Sequence, residues 1–247
     1  SLLSSVTQFS QAALAMLQEP SMVVAASREV VPAIGCTEPM AVALCTARAR
    51  ELLGGLPERI EVLLSANILK NAMGVGIPGT GMIGLPIAVA LGAQIGRSEC
   101  GLEVLRDVTP EAVARARDYL AADAVSVALK EGISETLYVE VHCTAGGRRA
   151  EAVIAGSHTR FVYLACDGEV VLDRRTGASS REEEPCVPLT LRRVFDYALT
   201  APIDELAFID EARRLNMAAA ELALGGEYGH SLGRTLRGRR ELHVMGD

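Results

Sequence analysis

The spacing of hydrophobic and polar positions divides the first half of the chain into helices and one strand. A strong apolar pattern predicts a helix over residues 40–53, ended by two glycines. Alternation with β-branched side chains predicts a strand over 60–65, and the next residues, 66–72, predict a loop or a short helix. Residues 85–95 predict a buried helix of small side chains. Helical patterns over 8–31, broken at Pro20, precede these elements.

The next segment predicts one helix followed by a series of strands. The triplet Thr109-Pro110-Glu111 supplies an N-cap, a first-turn proline and a first-turn acid, so a helix is predicted to about Ala122. Hairpin turns are predicted at 145–147 and 167–168, the second from an Asp-Gly pair. The predicted strands cover residues 124–130, 136–143, 149–155, 159–166 and 168–173. This order indicates an α+β fold with a mostly antiparallel β-meander packed with helices.

The last part of the chain predicts a linker and two more helices. Residues 176–188 contain three consecutive glutamates and are typical of an exposed linker, and helices are predicted over 189–199 and 203–224. Three regions follow from these patterns. They are an N-terminal helical part with a glycine-rich loop (1–108), the α+β meander unit (109–175), and the linker with C-terminal helices (176–247).

Composition and charge narrow the classes of function. Acidic residues exceed basic ones by 31 to 24, and the net charge of −7 gives no support to nucleic-acid or anionic-membrane binding. No apolar run approaches the ~20 residues of a membrane span, and no basic segment typical of a signal peptide opens the chain. The six cysteines contain no CxxC spacing, which favours reduced thiols. A cytoplasmic protein is therefore expected.

Cys36 is the leading candidate for chemistry because it precedes a predicted helix. Thr37 or Glu38 is expected to cap that helix, with Pro39 at its start. The helix dipole at such a position favours an anion and is expected to lower the pKa of the thiol, making it a base, a nucleophile or a metal ligand. The residues leave open the alternative that Cys36 is a small buried hydrophobic residue in a turn.

A second candidate site lies in the glycine-rich segment 74–84, which holds five glycines and a proline. Two overlapping GxGxxG matches occur, but no strand directly precedes them and Pro78 interrupts the first, so dinucleotide binding is disfavoured. Side-chain amides, a lysine and bare backbone N–H groups can together hold an amino-acid carboxylate. A solvated loop with structural glycines is the equal alternative. The residues concerned are Asn67, Lys70, Asn71, Gly74 and Gly76.

The four histidines do not indicate a metal centre. His142 and His158 fall in the predicted strand region, and His230 and His243 lie in the glycine-containing C-terminal part. No pair has the spacing of a metal motif, and no GxSxG sequence supports a serine nucleophile. These histidines are expected to be hydrogen-bonded in the fold or exposed.

Three blocks carry a family resemblance. They are Pro32-Ala-Ile-Gly-Cys-Thr-Glu-Pro39, Ser65-Ala-Asn-Ile-Leu-Lys-Asn-Ala-Met-Gly-Val-Gly-Ile-Pro-Gly-Thr-Gly81, and the continuation Met82-Ile-Gly-Leu-Pro86. Together they resemble the L-cysteine desulfidase family, which is grouped with iron–sulfur serine dehydratase α-like proteins. The chain resembles the N-terminal half of that family.

The resemblance implies β-elimination from a small amino acid, which converts L-cysteine to pyruvate, ammonia and sulfide, or deaminates L-serine. It also implies a [4Fe–4S] cluster in the full-length protein, with Cys36 as the catalytic cysteine and a candidate metal ligand. The remaining cluster ligands are expected outside this chain, which is therefore expected to lack the cluster and to be inactive alone. A homo-oligomer is also expected. The substrate-binding residues would be Thr37, Glu38, Asn67, Lys70, Asn71, Gly74, Gly76, Gly79 and Thr80.

A second hypothesis is a non-catalytic amino-acid-binding or regulatory module, and a nucleotide-binding enzyme is a distant third. Binding of an amino acid by this chain without iron would favour the module, whereas partner sequence rich in cysteine would favour the lyase. The residues do not distinguish L-cysteine from L-serine, because one sulfur or oxygen atom separates the two substrates.

Overall fold

The computed structural model describes residues 35–175, 190–227 and 230–238. They fall into two compact units, one formed by 35–175 and the other by the described residues after 189. The predictions over 8–31 and 176–188 lie outside the described residues. No helix in the described parts is both long and apolar enough to cross a membrane.

The first unit is an α+β fold, as predicted. Its elements in chain order are α1 (Thr37–Leu53), β1 (Arg59–Leu64), α2 (Ala66–Ala72), β2 (Gly76–Ile77), β3 (Met82–Ile83), α3 (Leu85–Gln94), a 3₁₀ helix (Ser98–Glu103), α4 (Pro110–Ala121), β4 (Val125–Leu129), β5 (Tyr138–Ala145), β6 (Arg148–Ala155), β7 (Phe161–Cys166) and β8 (Glu169–Asp173). The predicted helices and strands of this unit are present, with ends shifted by a few residues.

Six strands form one mixed sheet in the order β4-β1-β5-β6-β7-β8. From β5 to β8 the strands form the predicted antiparallel meander. The prediction did not anticipate that β1 lies between β4 and β5 and pairs in parallel with β4. A parallel pair requires a long crossover connection, which here runs through α2, α3 and α4, and no local sequence pattern reports such a contact.

Residue 108, the predicted boundary between the first two regions, lies inside this unit. Ile60 and Val62 of β1 are buried beside Val141 and Cys143 of β5, so the N-terminal segment and the meander share one hydrophobic core. A separate N-terminal helical part is therefore not observed, because its strand pairs with the meander and closes the same core.

Helix α1 lies at the centre of the core because its side chains are small. Residues 39–47 are all buried, although they include a threonine and a cysteine. Helix α3 approaches closely, since a Cβ on Gly92 would lie only 2.5 Å from the carbonyl oxygen of Ala43. This close packing explains the alanine- and glycine-rich composition, and it fixes the N-terminal end of α1 relative to the sheet.

Two capping predictions can be compared with the structure. The hydroxyl of Thr109 accepts a hydrogen bond from the amide of Ala112, as predicted for the start of α4. At α1, in contrast, the N-cap residue is Cys36, and no side chain caps the helix. The prediction that Thr37 or Glu38 is the cap was wrong by one or two residues, since both lie in the first turn.

The second unit contains helices α5 (Leu191–Thr200), α6 (Ala207–Gly225) and α7 (Leu232–Gly238), with a 3₁₀ helix (Ile203–Leu206) before α6. The first two correspond to the helices predicted over 189–199 and 203–224. The hydroxyl of Thr190 accepts a hydrogen bond from the amide of Arg193 and starts α5. The sequence did not predict α7, because the surrounding glycines obscure its pattern.

Candidate functional site

The candidate site forms where the start of α1 meets α2. The thiol of Cys36 donates a hydrogen bond to Oε2 of Glu38 over 2.8 Å, and the amide of Asn71 donates to Oε1 over 3.1 Å. One carboxylate therefore joins a residue of the first motif block to a residue of the second. Gly35 and Pro78 also approach each other, since a Cβ on Gly35 would lie 3.1 Å from Cγ of Pro78. The two blocks are neighbours in the fold.

The ionisation of this pair differs from the prediction for the thiol. Burial and the hydrogen bond to Glu38 raise the pKa of Cys36, whereas the bond from the thiol lowers the pKa of Glu38. The predicted lowering of the thiol pKa by the helix start was wrong, because burial and the carboxylate 2.8 Å away together outweigh the helix dipole. At neutral pH the pair is a neutral thiol beside a carboxylate.

His158 is a third ionisable residue at the site and was not predicted to be there. Its Nε2 lies 3.2 Å from Oγ1 of Thr37, and Oγ1 is in turn 3.3 Å from Oε2 of Glu38. His158 also contributes to the lowered pKa of Glu38 through its charge. The residue lies in the turn between β6 and β7, 121 positions from Thr37. No local sequence signal identifies a contact over such a separation.

The exposed face of α2 provides polar groups next to the pair. Asn67, Lys70 and Asn71 occupy positions i, i+3 and i+4, so they share one face, while Ile68 and Ala72 are buried on the other. Asn71 fixes this face beside Glu38. Lys70 is exposed and forms no hydrogen bond or ion pair with a described residue.

Gly74 and Gly76 have no structural reason to be glycine in this fold. Neither has a positive φ angle, and a Cβ on either would meet no atom within 4 Å. Backbone conformation and internal packing therefore do not require glycine at these two exposed positions.

Two predicted substrate-binding residues instead have structural roles. Thr80 is buried, and its hydroxyl donates to the carbonyl of Ile77 and accepts from the amide of Met82, which closes the β2–β3 hairpin. Gly79 has a φ of 75°, and a Cβ there would lie 3.2 Å from Val108. Both residues are needed by the geometry of the turn.

The described cysteines do not assemble a ligand set for an iron–sulfur cluster. Cys45 and Cys143 are buried in the core, and Cys100 lies in the 3₁₀ helix. The thiol of Cys166 donates a hydrogen bond to the carbonyl of Leu52. Leu52 lies about 24 Å along α1 from Cys36, at a rise of ~1.5 Å per residue. Such a cluster needs several convergent thiolates, so the described residues do not fit it. Cys186 lies outside the described residues.

A second polar cluster lies on the face of the sheet opposite α1. His142 Nε2 is 2.7 Å from Glu140 Oε1, and Nδ1 is 2.9 Å from Arg149 and 3.6 Å from Glu151. A guanidinium group only donates, so Nδ1 accepts and Nε2 carries the proton. Glu140 also accepts from Tyr138 over 2.6 Å and pairs with Lys130.

This second cluster resembles a metal site in its residue types but not in its charge. Lys130 pairs with Glu140, and Arg149 donates to Nδ1 of His142, so two cationic side chains already lie in the cluster of Glu140, His142 and Glu151. A divalent cation would have to enter beside two positive charges, which is unfavourable. We therefore describe it as a structural ion network, in which His142 is hydrogen-bonded, as the sequence predicted.

The fold and the site define an α+β protein with a thiol–carboxylate pair beside an open, glycine-lined polar face. The chain is similar to UPF0597 proteins. It is 63% identical over 220 residues to the one from Bacteroides thetaiotaomicron, covering 89% of this chain and 51% of that protein. It is 57% identical over 221 residues to the one from Phocaeicola vulgatus, covering 89% and 51%.

A more distant relative, the UPF0597 protein of Aeromonas hydrophila subsp. hydrophila, is 44% identical over 223 residues, covering 89% of this chain and 50% of that protein. The chain spans about half the length of the curated relatives it matches. No family model matches the chain, and no solved structure matches it either.

Proposed function

We propose that this chain carries the substrate-binding and thiol-bearing part of an amino-acid β-lyase of the L-cysteine desulfidase or L-serine dehydratase type. The observation that supports the proposal most directly is the hydrogen-bonded series Cys36–Glu38–Asn71, which joins the two sequence blocks that resemble that family. A thiol, a carboxylate and a carboxylate-binding face within one site are what proton removal from an amino acid requires.

Substrate binding follows from the open face. The ammonium group of Lys70 and the unhindered backbone at Gly74 and Gly76 are suited to the α-carboxylate of an amino acid. The side-chain amide of Asn67 lies on the same helical face and offers a further hydrogen bond.

Proton transfer follows from the thiol–carboxylate pair. Glu38 takes the proton of Cys36, and the resulting thiolate takes the α-proton of the substrate. The electron pair of the broken C–H bond then forms the Cα–Cβ double bond, and the β-substituent leaves with the electrons of its own bond, as sulfide from L-cysteine. The enamine that remains tautomerises and is hydrolysed by water to pyruvate and ammonia.

The iron–sulfur cluster implied by the resemblance would supply a Lewis acid for the leaving group. The described residues do not form its ligand set, so the proposal assigns the cluster to the full-length protein, with ligands outside this chain. No step above depends on it.

The second candidate is an amino-acid-binding module without catalysis. The raised pKa of Cys36 favours this alternative, because a thiol that is neutral at rest is a poor base until its proton has been transferred. In this alternative the polar face binds an amino acid and no bond is broken.

The test compares binding by this chain with turnover by a protein of the relatives' full length that contains it. Calorimetry with L-cysteine and L-serine measures binding to the wild type, Lys70→Ala and Gly76→Val. Release of pyruvate and sulfide under anaerobic conditions measures turnover of the full-length wild type, Cys36→Ser and the control Cys100→Ser.

Turnover that is lost in Cys36→Ser and kept in Cys100→Ser, with the former still folded, would support the lyase. Binding without turnover would favour the module. Turnover retained at wild-type level in Cys36→Ser would overturn the assigned role of the thiol. No binding and no turnover would overturn both functions.

A further inference from the structure

A pocket of about 570 Å³ lies away from the thiol, between α1, the 3₁₀ helix and strands β7 and β8. Phe161, Leu164 and Leu172 line it with apolar surface. Arg48, Arg160 and Arg174 also line it, and they come from three separate parts of the chain. The pocket therefore combines an apolar surface with a basic one.

The positive charge of this pocket is only partly compensated. Glu51 pairs with Arg48 at 3.4 Å and also accepts hydrogen bonds from the amide and hydroxyl of Ser98, so its carboxylate is fully engaged. Glu99 is the second acidic residue in the lining. The side chains of Arg160 and Arg174 form no hydrogen bond or ion pair with a described residue.

Convergence of like charges costs free energy unless a counter-charge is present. The chain as a whole carries a net charge of −7, so an excess of arginine at one concave surface runs against its overall charge. A guanidinium group can bind a carboxylate through two parallel hydrogen bonds, because its planar geometry matches that of the carboxylate. The apolar side chains are suited to the rest of the ligand.

We propose that this pocket binds a small organic carboxylate with an apolar body. Arg160 and Arg174 bind the carboxylate, and Phe161, Leu164 and Leu172 contact the apolar part. The proposal does not depend on the proposed lyase function, since none of these residues belongs to the Cys36 site.

The pocket and the Cys36 site share one short loop. The β6–β7 connection carries His158 to Thr37, and two residues later it carries Arg160 to the pocket. The loop is tight, because the amide of Arg160 donates to the carbonyl of Ser157 and the carbonyl of Arg160 accepts from the amide of Ala155. A ligand that draws Arg160 inward is therefore expected to move His158 and alter the surroundings of the thiol.

The experiment uses the whole 247-residue chain and calorimetry with three probes. The probes are 4-methyl-2-oxopentanoate, the uncharged 4-methylpentanamide and inorganic phosphate. Variants Arg160→Gln and Arg174→Gln remove one guanidinium each. The control Arg97→Gln removes an arginine that pairs with Asp107 outside the pocket.

The proposal expects the oxo acid to bind the wild type and Arg97→Gln, and to lose about tenfold or more in affinity in each pocket variant, with no binding of the amide. No binding of the oxo acid, or equal affinity in Arg160→Gln and wild type, would overturn it. Phosphate binding as tightly as the oxo acid would overturn the organic-carboxylate class.

The link to the thiol has its own measurement. The rate at which iodoacetamide modifies Cys36, followed by mass spectrometry of its peptide, is expected to change at least about twofold when the oxo acid saturates the pocket. The same addition is expected to leave the rate unchanged in Arg160→Gln. An unchanged rate in the saturated wild type would refute the link through the loop.

Discussion

Sγ of Cys36 lies 2.8 Å from Oε2 of Glu38, and this contact sets the resting state of the site. The hydrogen bond and the negative charge of the carboxylate both favour the neutral thiol, which opposes the effect of the helix start. Burial and one acidic side chain two residues away therefore both act against ionisation of Cys36.

The first prediction concerns that control. Replacing Glu38 with Gln removes a negative charge and a strong acceptor, so the pKa of Cys36 is expected to fall and its alkylation at pH 8 to accelerate about three- to tenfold. Mass spectrometry of the Cys36 peptide over time measures the rate. The variant Glu131→Gln, at an exposed position whose side chain forms no hydrogen bond or ion pair with a described residue, is the matched control and should react like the wild type.

Replacement of His158 is expected to change the alkylation rate of Cys36 in the opposite direction. Replacing His158 with Gln removes an imidazole whose charge acts on the pair. A positive charge nearby favours the thiolate, so the alkylation of Cys36 is expected to slow in this variant. Faster alkylation of His158→Gln than of the wild type would show that His158 does not act through its charge.

Two glycine substitutions are expected to change stability by different amounts. At Gly76 a Cβ meets no atom within 4 Å, so Gly76→Ala should change the free energy of unfolding by less than about 1 kcal/mol. At Gly92 a Cβ would lie 2.5 Å from the carbonyl oxygen of Ala43, so Gly92→Ala should destabilise by about 1–3 kcal/mol. Urea denaturation measures both. Equal losses would contradict the assignment of open space to Gly76.

The ion network on the sheet is expected to make stability depend on acidic pH. The hydrogen bond from His142, followed by the bonds from Lys130 and Tyr138, lowers the pKa of Glu140 from 4.5 to about 2. Because the folded-state pKa lies below the ordinary one, the stabilisation is complete above pH 4.5 and is lost as the pH falls towards 2.

The variant Glu140→Gln tests this dependence, since it keeps the acceptor oxygen and removes the charge. The difference in unfolding free energy between wild type and variant is expected to shrink by about 2–3 kcal/mol between pH 5 and pH 2. The exposed control Glu169→Gln should show a much smaller change. A difference that stays constant over this range would show that the charge of Glu140 does not stabilise the fold.

The cysteines are expected to react in two groups. Burial raises the pKa of Cys45 well above its usual range and that of Cys143 to about 12, so both should resist alkylation in the folded chain and react after unfolding. Cys36, Cys100 and Cys166 are half-buried and should react in the folded state. Peptide mapping before and after denaturation separates the groups, and early modification of Cys45 would contradict the described core.

The sequence by itself determined the local elements and the candidate thiol. Helix α4 was predictable because Thr109 and Pro110 act within one turn, and the hairpin turn at Asp167-Gly168 was predictable because turn geometry restricts its residues. Cys36, Asn67, Lys70 and Asn71 were chosen as candidates from their residue types and spacing, without reference to distant contacts.

Only the tertiary structure decided the position of β1, the place of His158 and the direction of the thiol pKa. Strand β1 pairs with β4 across a long crossover, and His158 reaches Thr37 over 121 positions. The pKa of Cys36 depends on one 2.8 Å contact and on burial, and each can reverse the effect of the helix start. Pairing, proximity and burial are properties of the packed chain, and local sequence patterns do not contain them.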